Sequence, residues 1–137
     1  RKERALSEFS GKKVLAFFPG AFTGVCESEM CSWRDSMAEL NDMDATILGI
    51  SVDSPFANAA FAKYNNLGFP LLSDYEYKTI KDYDIVLESF AGMNGYTAAK
   101  RSVFILDADN TIRFEWVGEN PGILPDYDAI KAELKKI

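Results

Sequence analysis

The sequence predicts a three-layer α/β fold built on a central mixed sheet. Residues 14 to 18 (VLAFF), 46 to 52 (TILGISV) and 103 to 107 (VFILD) are near-continuous apolar runs, as expected of strands covered on both faces. Helical patterns lie between the first two runs. A segment from Thr111 to Val117 instead alternates, with Ile112, Phe114 and Trp116 on one side and Arg113 and Glu115 on the other. Such a segment reads as a half-buried strand, hairpinned to 103 to 107 through the turn residues "DADN".

The elements follow in order. Met30, Trp33, Met37 and Leu40 recur at steps of three and four, which places one apolar stripe on a helix from about Val25 to Leu40. A second helix is expected after "DSP", with Pro55 in its first turn, ending near Gly68. A short strand is expected around Phe69 to Leu72 and a short helix over Tyr75 to Tyr83. Residues 84 to 100 contain glycines and no clear period, and read as a loop crossing the sheet. The last helix starts at "LPDYD", with acids near its N-terminus, Lys135 and Lys136 near its C-terminus, and Tyr127, Ile130, Leu134 and Ile137 as its stripe. Alternation followed by a terminal hairpin and helix suits a thioredoxin-like fold. Residues 1 to 137 are read as a single domain, without internal repeats.

Composition excludes several function classes. The chain has 137 residues, 47% hydrophobic and 26% charged, which is ordinary for a globular protein able to bury a core. Its formal net charge is -6, and its basic residues are scattered, so no track for a phosphate backbone is present and nucleic acid is not expected as a partner. No apolar run approaches the ~20 residues needed to span a bilayer. With no histidine and two cysteines, the chain lacks the roughly four Cys or His ligands of a zinc site and the histidine base of most cysteine hydrolases. A close cysteine pair suits redox chemistry in a reducing compartment, so a cytoplasmic location is expected. The chain begins with Arg1 rather than Met, so an upstream segment is an open expectation.

Both cysteines fall in "FFPGAFTGVCESEMC", Phe17 to Cys31. A strand ends there, a Pro-Gly turn follows, and a helix opens near Gly24 to Cys26. Cys26 is therefore expected where free backbone N–H groups converge and the helix dipole favours an anion, raising the thiolate fraction. Thr23 can cap that turn or bind a group at the sulfur. Glu27 and Glu29 act in the opposite sense, since they disfavour a nearby thiolate; a cation from elsewhere in the fold has to outweigh them. Cys26 also continues the Met30, Trp33, Met37 stripe, so from spacing alone it reads equally well as a small buried hydrophobe.

A resemblance separates these readings. "PGAFTGVC", with Pro19, Thr23 and Cys26 in P-x3-T-x2-C spacing behind an apolar strand, resembles the active-site signature of the peroxiredoxins. "LSEFSGKKVLAFFPGAFTGVC", "ILGISVDSP", "FPLLSD", "YTAAKRSVFILDADNTI" and the closing helix follow that family's order over nearly the whole chain. The resemblance implies a thiol-dependent peroxidase, without cofactor or metal, that reduces hydrogen peroxide and organic hydroperoxides. It implies that Cys26 is the peroxidatic cysteine, that Thr23 orients the peroxide, that Pro19 shields the sulfur and that Arg101 supplies the cation. Arg34 and Arg113 are the other candidates for that cation; Arg113 sits on the polar side of an alternating strand and is expected to face solvent. The resemblance further implies a thioredoxin-like dithiol donor and a monomer or homodimer, with Phe22 either a subunit contact or packed under its loop. Family members carry an additional hairpin upstream of "ALSEFSGKK" that this chain does not include.

The C-x4-C spacing of Cys26 and Cys31 resembles the peroxiredoxin Q or bacterioferritin-comigratory branch, which implies that Cys31 resolves Cys26 through a disulfide. Five helical residues rise ~7.5 Å and turn ~140° on a cylinder of ~2.3 Å radius, placing the Cα atoms roughly 8 to 9 Å apart. A disulfide needs them within about 7 Å, so an intact helix cannot be bridged and residues 24 to 31 have to unwind. The signature also resembles one-cysteine branches, in which Cys31 is a bystander, and a thiol sensor oxidised once remains the alternative to an enzyme.

Overall fold

The computed structural model describes residues 2–137. Along the chain run β1 (Lys12–Phe17), α1 (Gly24–Asp35), α2 (Met37–Asp42), β2 (Ala45–Ser51), α3 (Pro55–Tyr64), β3 (Leu71–Ser73), α4 (Lys78–Asp82), β4 (Val86–Leu87), β5 (Ala98–Ala99), β6 (Ser102–Leu106), β7 (Ile112–Val117) and α5 (Tyr127–Lys135). The expected mixed sheet is present, in the order β3-β2-β1-β6-β7. β1 pairs parallel with β2 and β2 with β3, whereas β6 is antiparallel to both β1 and β7.

The continuous apolar runs are central because both of their faces are covered. Val14, Ala16 and Phe18 pack with Ile47, Val103 and Ile105 against α1, α3 and α5 on one side of the sheet. Leu15 and Phe17 pack with Leu48, Ile50, Phe104 and Ile80 of α4 on the other. Each fully buried aliphatic or aromatic side chain of this kind contributes about 1.5–3 kcal/mol. β7 lies at the edge and is only half covered; Phe114 and Trp116 face the core as expected, but Ile112 is largely exposed.

Four further expectations are corrected. The helix expected from Val25 to Leu40 is two helices that meet at Ser36. There the Ser36 N–H donates to the Trp33 carbonyl at 3.0 Å, a tightened three-residue bond that ends α1. The apolar stripe continues across the break, which is why its period conceals it. The helix after "DSP" starts where expected, with Ser54 accepting the Ala57 N–H at 3.1 Å and Pro55 in the first turn, but it ends at Tyr64. α4 begins at Lys78 rather than Tyr75, because the Asp74 carboxylate accepts the Thr79 and Ile80 N–H groups at 3.0 and 2.9 Å behind a turn with Tyr77 at φ 63. Residues 84 to 100 are not wholly irregular: β4 and β5 form a small antiparallel pair, joined by residues 88–97, which include a short turn at Phe90–Gly92. The closing helix follows the sequence reading, with Asp126 accepting the Ala129 N–H and Ile130 and Leu134 buried.

Candidate active site

The site lies where β1 hands over to α1, beside the start of β6. Thr23 holds the N-cap position with extended backbone, and α1 begins at Gly24, so Cys26 sits in the first turn. Its side chain is fully buried, as are those of Glu29, Met30 and Trp33 on the same helix. Pro19 is buried directly after β1. Phe22 adopts φ 63, a left-handed conformation unusual for a large side chain and of the kind that accumulates at functional turns. Its ring is half exposed and rests edge-on against Phe61 and Tyr64, with centroids 5.2 and 5.8 Å away.

Thr23 does not cap the helix with its side chain. Its hydroxyl donates instead to the Gly20 carbonyl at 2.7 Å. With its proton committed there, the oxygen presents only acceptor lone pairs to anything bound beside it.

The required cation comes from the far strand. Arg101 precedes β6 and is buried against α1, its Nη2 donating to Cys26 Sγ at 3.2 Å. Nη1 donates to Glu29 Oε1 at 2.8 Å, and Nε donates to the Pro121 carbonyl at 2.9 Å. The guanidinium is thus fixed in three directions, which its planar fork allows and a lysine cannot match. Arg34 instead pairs with Asp35 and donates to the Asn65 carbonyl, and Arg113 pairs with Asp107 on the exposed edge. Neither is the partner of Cys26.

Sequence reasoning left the surroundings of Glu29 open. Taken there as an acid opposing a thiolate, it is wholly buried, and both of its oxygens are engaged: Oε1 by Arg101 and Oε2 by the Trp33 indole N–H at 3.0 Å. Burial pushes the Glu29 carboxyl up, against the opposing pull of Trp33 and Arg101. Burial also works against the charge of Arg101, but the Cys26 sulfur and the Glu29 carboxylate outweigh it and move the guanidinium up, keeping it cationic. The available signal was spacing: Glu29 is three residues after Cys26 and four before Trp33, so all three share a helix face.

Two further residues shape the site. Asp53, in "ISVDSP", accepts the Ala21 N–H and the Ser51 hydroxyl, each at 2.8 Å, which ties the "PGAFT" turn to the end of β2. Phe90 lies over that turn, so close that a methyl group on Gly20 would approach its ring edge at 3.2 Å. It is flanked by Ser89 and Ala91, both at positive φ. Cys31 is half buried on another side of α1, donating weakly to Asn65 Oδ1 at 3.6 Å. Both cysteines are free thiols, and α1 is continuous across them.

The chain as a whole has known relatives. A model described as the AhpC/TSA family matches residues 1–115. The chain belongs to that family. Peroxiredoxin Bcp of Bacillus subtilis is 36% identical over 113 residues, covering 81% of this chain and 71% of that protein. A thiol peroxidase of Streptococcus sanguinis is 32% identical over 139 residues, covering 98% of this chain and 80% of its own length. Among solved structures, the peroxidoxin BcpB of Mycobacterium tuberculosis superposes with a TM-score of 0.85 at 29% identity, over 98% of this chain and 86% of that one. The chain is therefore a peroxiredoxin with a thioredoxin-like fold, similar to the Bcp branch, and a thiol peroxidase by kinship with these enzymes. Among the described residues, no helix of this peroxiredoxin is long and apolar enough to cross a membrane.

Proposed function

We propose that Cys26 is the peroxidatic cysteine, and that Cys31 resolves it in a cycle completed by a thioredoxin-like dithiol protein. The observation that carries this reading is the buried contact of 3.2 Å between Arg101 Nη2 and Cys26 Sγ, at the first turn of α1. A guanidinium and a helix N-terminus both favour negative charge on the sulfur.

In the first step the Cys26 thiolate attacks the distal oxygen of a hydroperoxide. The S–O bond forms as the O–O bond breaks, the sulfur is oxidised to a sulfenic acid, and the peroxide is reduced to water or an alcohol. Thr23 Oγ1 accepts the hydroperoxide O–H, a role assigned by its own bond to Gly20. Arg101 and the first-turn N–H groups stabilise the departing oxygen, the kind of arrangement whose loss commonly costs about 10²–10³ in rate. Pro19 shields the sulfur from bulk water.

In the second step the Cys31 sulfur displaces the oxygen of the sulfenic acid, releasing water and forming the Cys26–Cys31 disulfide. The intact α1 forbids this bond, so the helix opens around residues 24 to 31 before it forms. A dithiol donor then reduces the disulfide by exchange.

The test is steady-state consumption of hydrogen peroxide with a thioredoxin, its reductase and NADPH, with peptide mapping of the oxidised enzyme. Sustained turnover and a Cys26–Cys31 linked peptide are expected. Turnover without that peptide makes Cys31 a bystander, and a single oxidation without turnover makes the cysteine a sensor.

A further inference from the structure

We propose that Trp33 is a positioning residue of the peroxide site: its indole N–H fixes Glu29 Oε2, Glu29 Oε1 thereby fixes Arg101, and Arg101 keeps Nη2 aimed at Cys26 Sγ. The inference rests on the reading of Cys26 as nucleophile and Arg101 as its partner, and it names what holds that pair in place.

The geometry points this way at each link. Trp33 is a full helical turn beyond Glu29, which brings its Nε1 to 3.0 Å from Oε2 in a region closed to water. An indole N–H is a donor only, so it binds the carboxylate in one sense and cannot exchange roles with it. The second oxygen, Oε1, faces Arg101 Nη1 at 2.8 Å, so both oxygens that set the plane of the carboxylate are engaged. Of the three donor nitrogens of Arg101, Nε is anchored on Pro121 and Nη1 on Glu29, leaving Nη2 for the sulfur. Rotation of the carboxylate would therefore swing the guanidinium about its Pro121 contact and carry Nη2 off its line.

Trp33 is itself fixed. Its ring meets Tyr127, the first residue of α5, edge to face, with centroids 5.0 Å apart and planes at 83°. A buried indole N–H needs an acceptor, and here the acceptor is the same carboxylate that holds Arg101. A line of contacts thus runs from α5 through Trp33, Glu29 and Arg101 to the reacting sulfur.

The test uses the full chain with Cys31→Ser as a single-thiol background, so that only the first oxidation is read. Trp33→Phe keeps a flat ring against Tyr127 and removes the N–H. Two rates are measured on reduced protein across pH and compared at their alkaline plateaus, where Cys26 is fully ionised in every variant: oxidation of Cys26 by hydrogen peroxide, and alkylation of Cys26 by iodoacetamide. Both need an accessible thiolate, but only the first needs a guanidinium beside a departing oxygen. The peroxide rate constant is expected to fall about tenfold while alkylation changes less than about threefold, as for one lost bond to a charged group. Site-specific replacement of Trp33 by 3-benzothienylalanine, which exchanges the ring N–H for sulfur at nearly unchanged shape, should reproduce that split if Trp33→Phe misfolds.

Equal falls in both rates, or no fall in either, overturn the positioning role. The added Cys26→Ser variant separates the two levels. If it still consumes peroxide, the reading of Cys26 fails and this inference with it; if it is inactive while the Trp33 variants keep the parental ratio, this inference alone fails.

Discussion

Arg101 and Glu29 form an ion pair at 2.8 Å with almost no solvent exposure on either side. Breaking such a pair from one side leaves a buried charge without its partner, which typically costs about 3–5 kcal/mol. Glu29→Ala is therefore expected to lower stability by about that amount in urea unfolding. Arg101→Lys retains the charge but not the three fixed directions. Its expected effect is smaller on stability and larger on chemistry, with a fall of about a hundredfold in the rate of Cys26 oxidation, measured by rapid mixing with peroxide.

The same glutamate makes stability depend on pH. Its carboxyl is pushed above the ordinary glutamate range by burial, so the native state binds this proton more tightly than the unfolded chain does. The contribution of Glu29 to stability is then fully present below the ordinary range and is lost as pH rises through the raised value. Glu29→Gln removes that titration. The stability of Glu29→Gln relative to the parent should accordingly improve from acidic to neutral pH, as followed by urea midpoints across that interval. A constant difference would show that Glu29 titrates alike in both states.

Asp53 makes the turn at Ala21 part of the sheet. Its carboxylate oxygen accepts the Ala21 N–H and the Ser51 hydroxyl, and the Ser51 oxygen also lies 2.9 Å from Asn58 Oδ1 in the interior. Asp53→Ala leaves the Ala21 N–H without its acceptor, while Ser51 can still donate to Asn58, at a cost of about 1–3 kcal/mol. Because Thr23 and Cys26 follow that turn directly, peroxide reactivity should fall about tenfold or more, as expected for a loosened site. Asp53→Asn, which keeps one acceptor oxygen, should lose less of both.

If Cys31 resolves Cys26, the disulfide form cannot keep α1 as it stands. Amide hydrogen exchange in residues 24 to 31 should be faster in the oxidised protein than in the reduced one, while β1 and β6 remain protected. Reduction should restore protection. The same exchange in both forms would mean that no Cys26–Cys31 bond forms.

Much of the fold was legible because the central strands are buried on both faces, which writes apolar runs such as VLAFF that have no other simple reading. The break at Ser36 was hidden because Met37 and Leu40 prolong the stripe of α1 into α2, and a period reports a face without reporting continuity. The late start of α4 was hidden because it depends on Asp74 reaching two amides across a turn. In the site, Cys26, Thr23 and Pro19 lie within one motif and were read together. Arg101 was reached only through the resemblance, since no local pattern links the start of a distant strand to a helix N-terminus. The burial of Glu29 was not legible because a lone acid in a helix is ordinarily exposed; it depends on Arg101, and that pairing is tertiary. Asp53 and Phe90 were missed for the same reason, as each meets the "PGAFT" turn only after the chain has folded.

The most direct test is stopped-flow tryptophan fluorescence on addition of peroxide to the reduced parent, Cys26→Ser and Cys31→Ser, since Trp33 touches the cluster around Cys26 and lies two residues beyond Cys31. The parent should show two phases, oxidation followed by helix opening; Cys31→Ser should keep only the first, and Cys26→Ser should show neither. A Cys26→Ser trace identical to that of the parent would contradict the account.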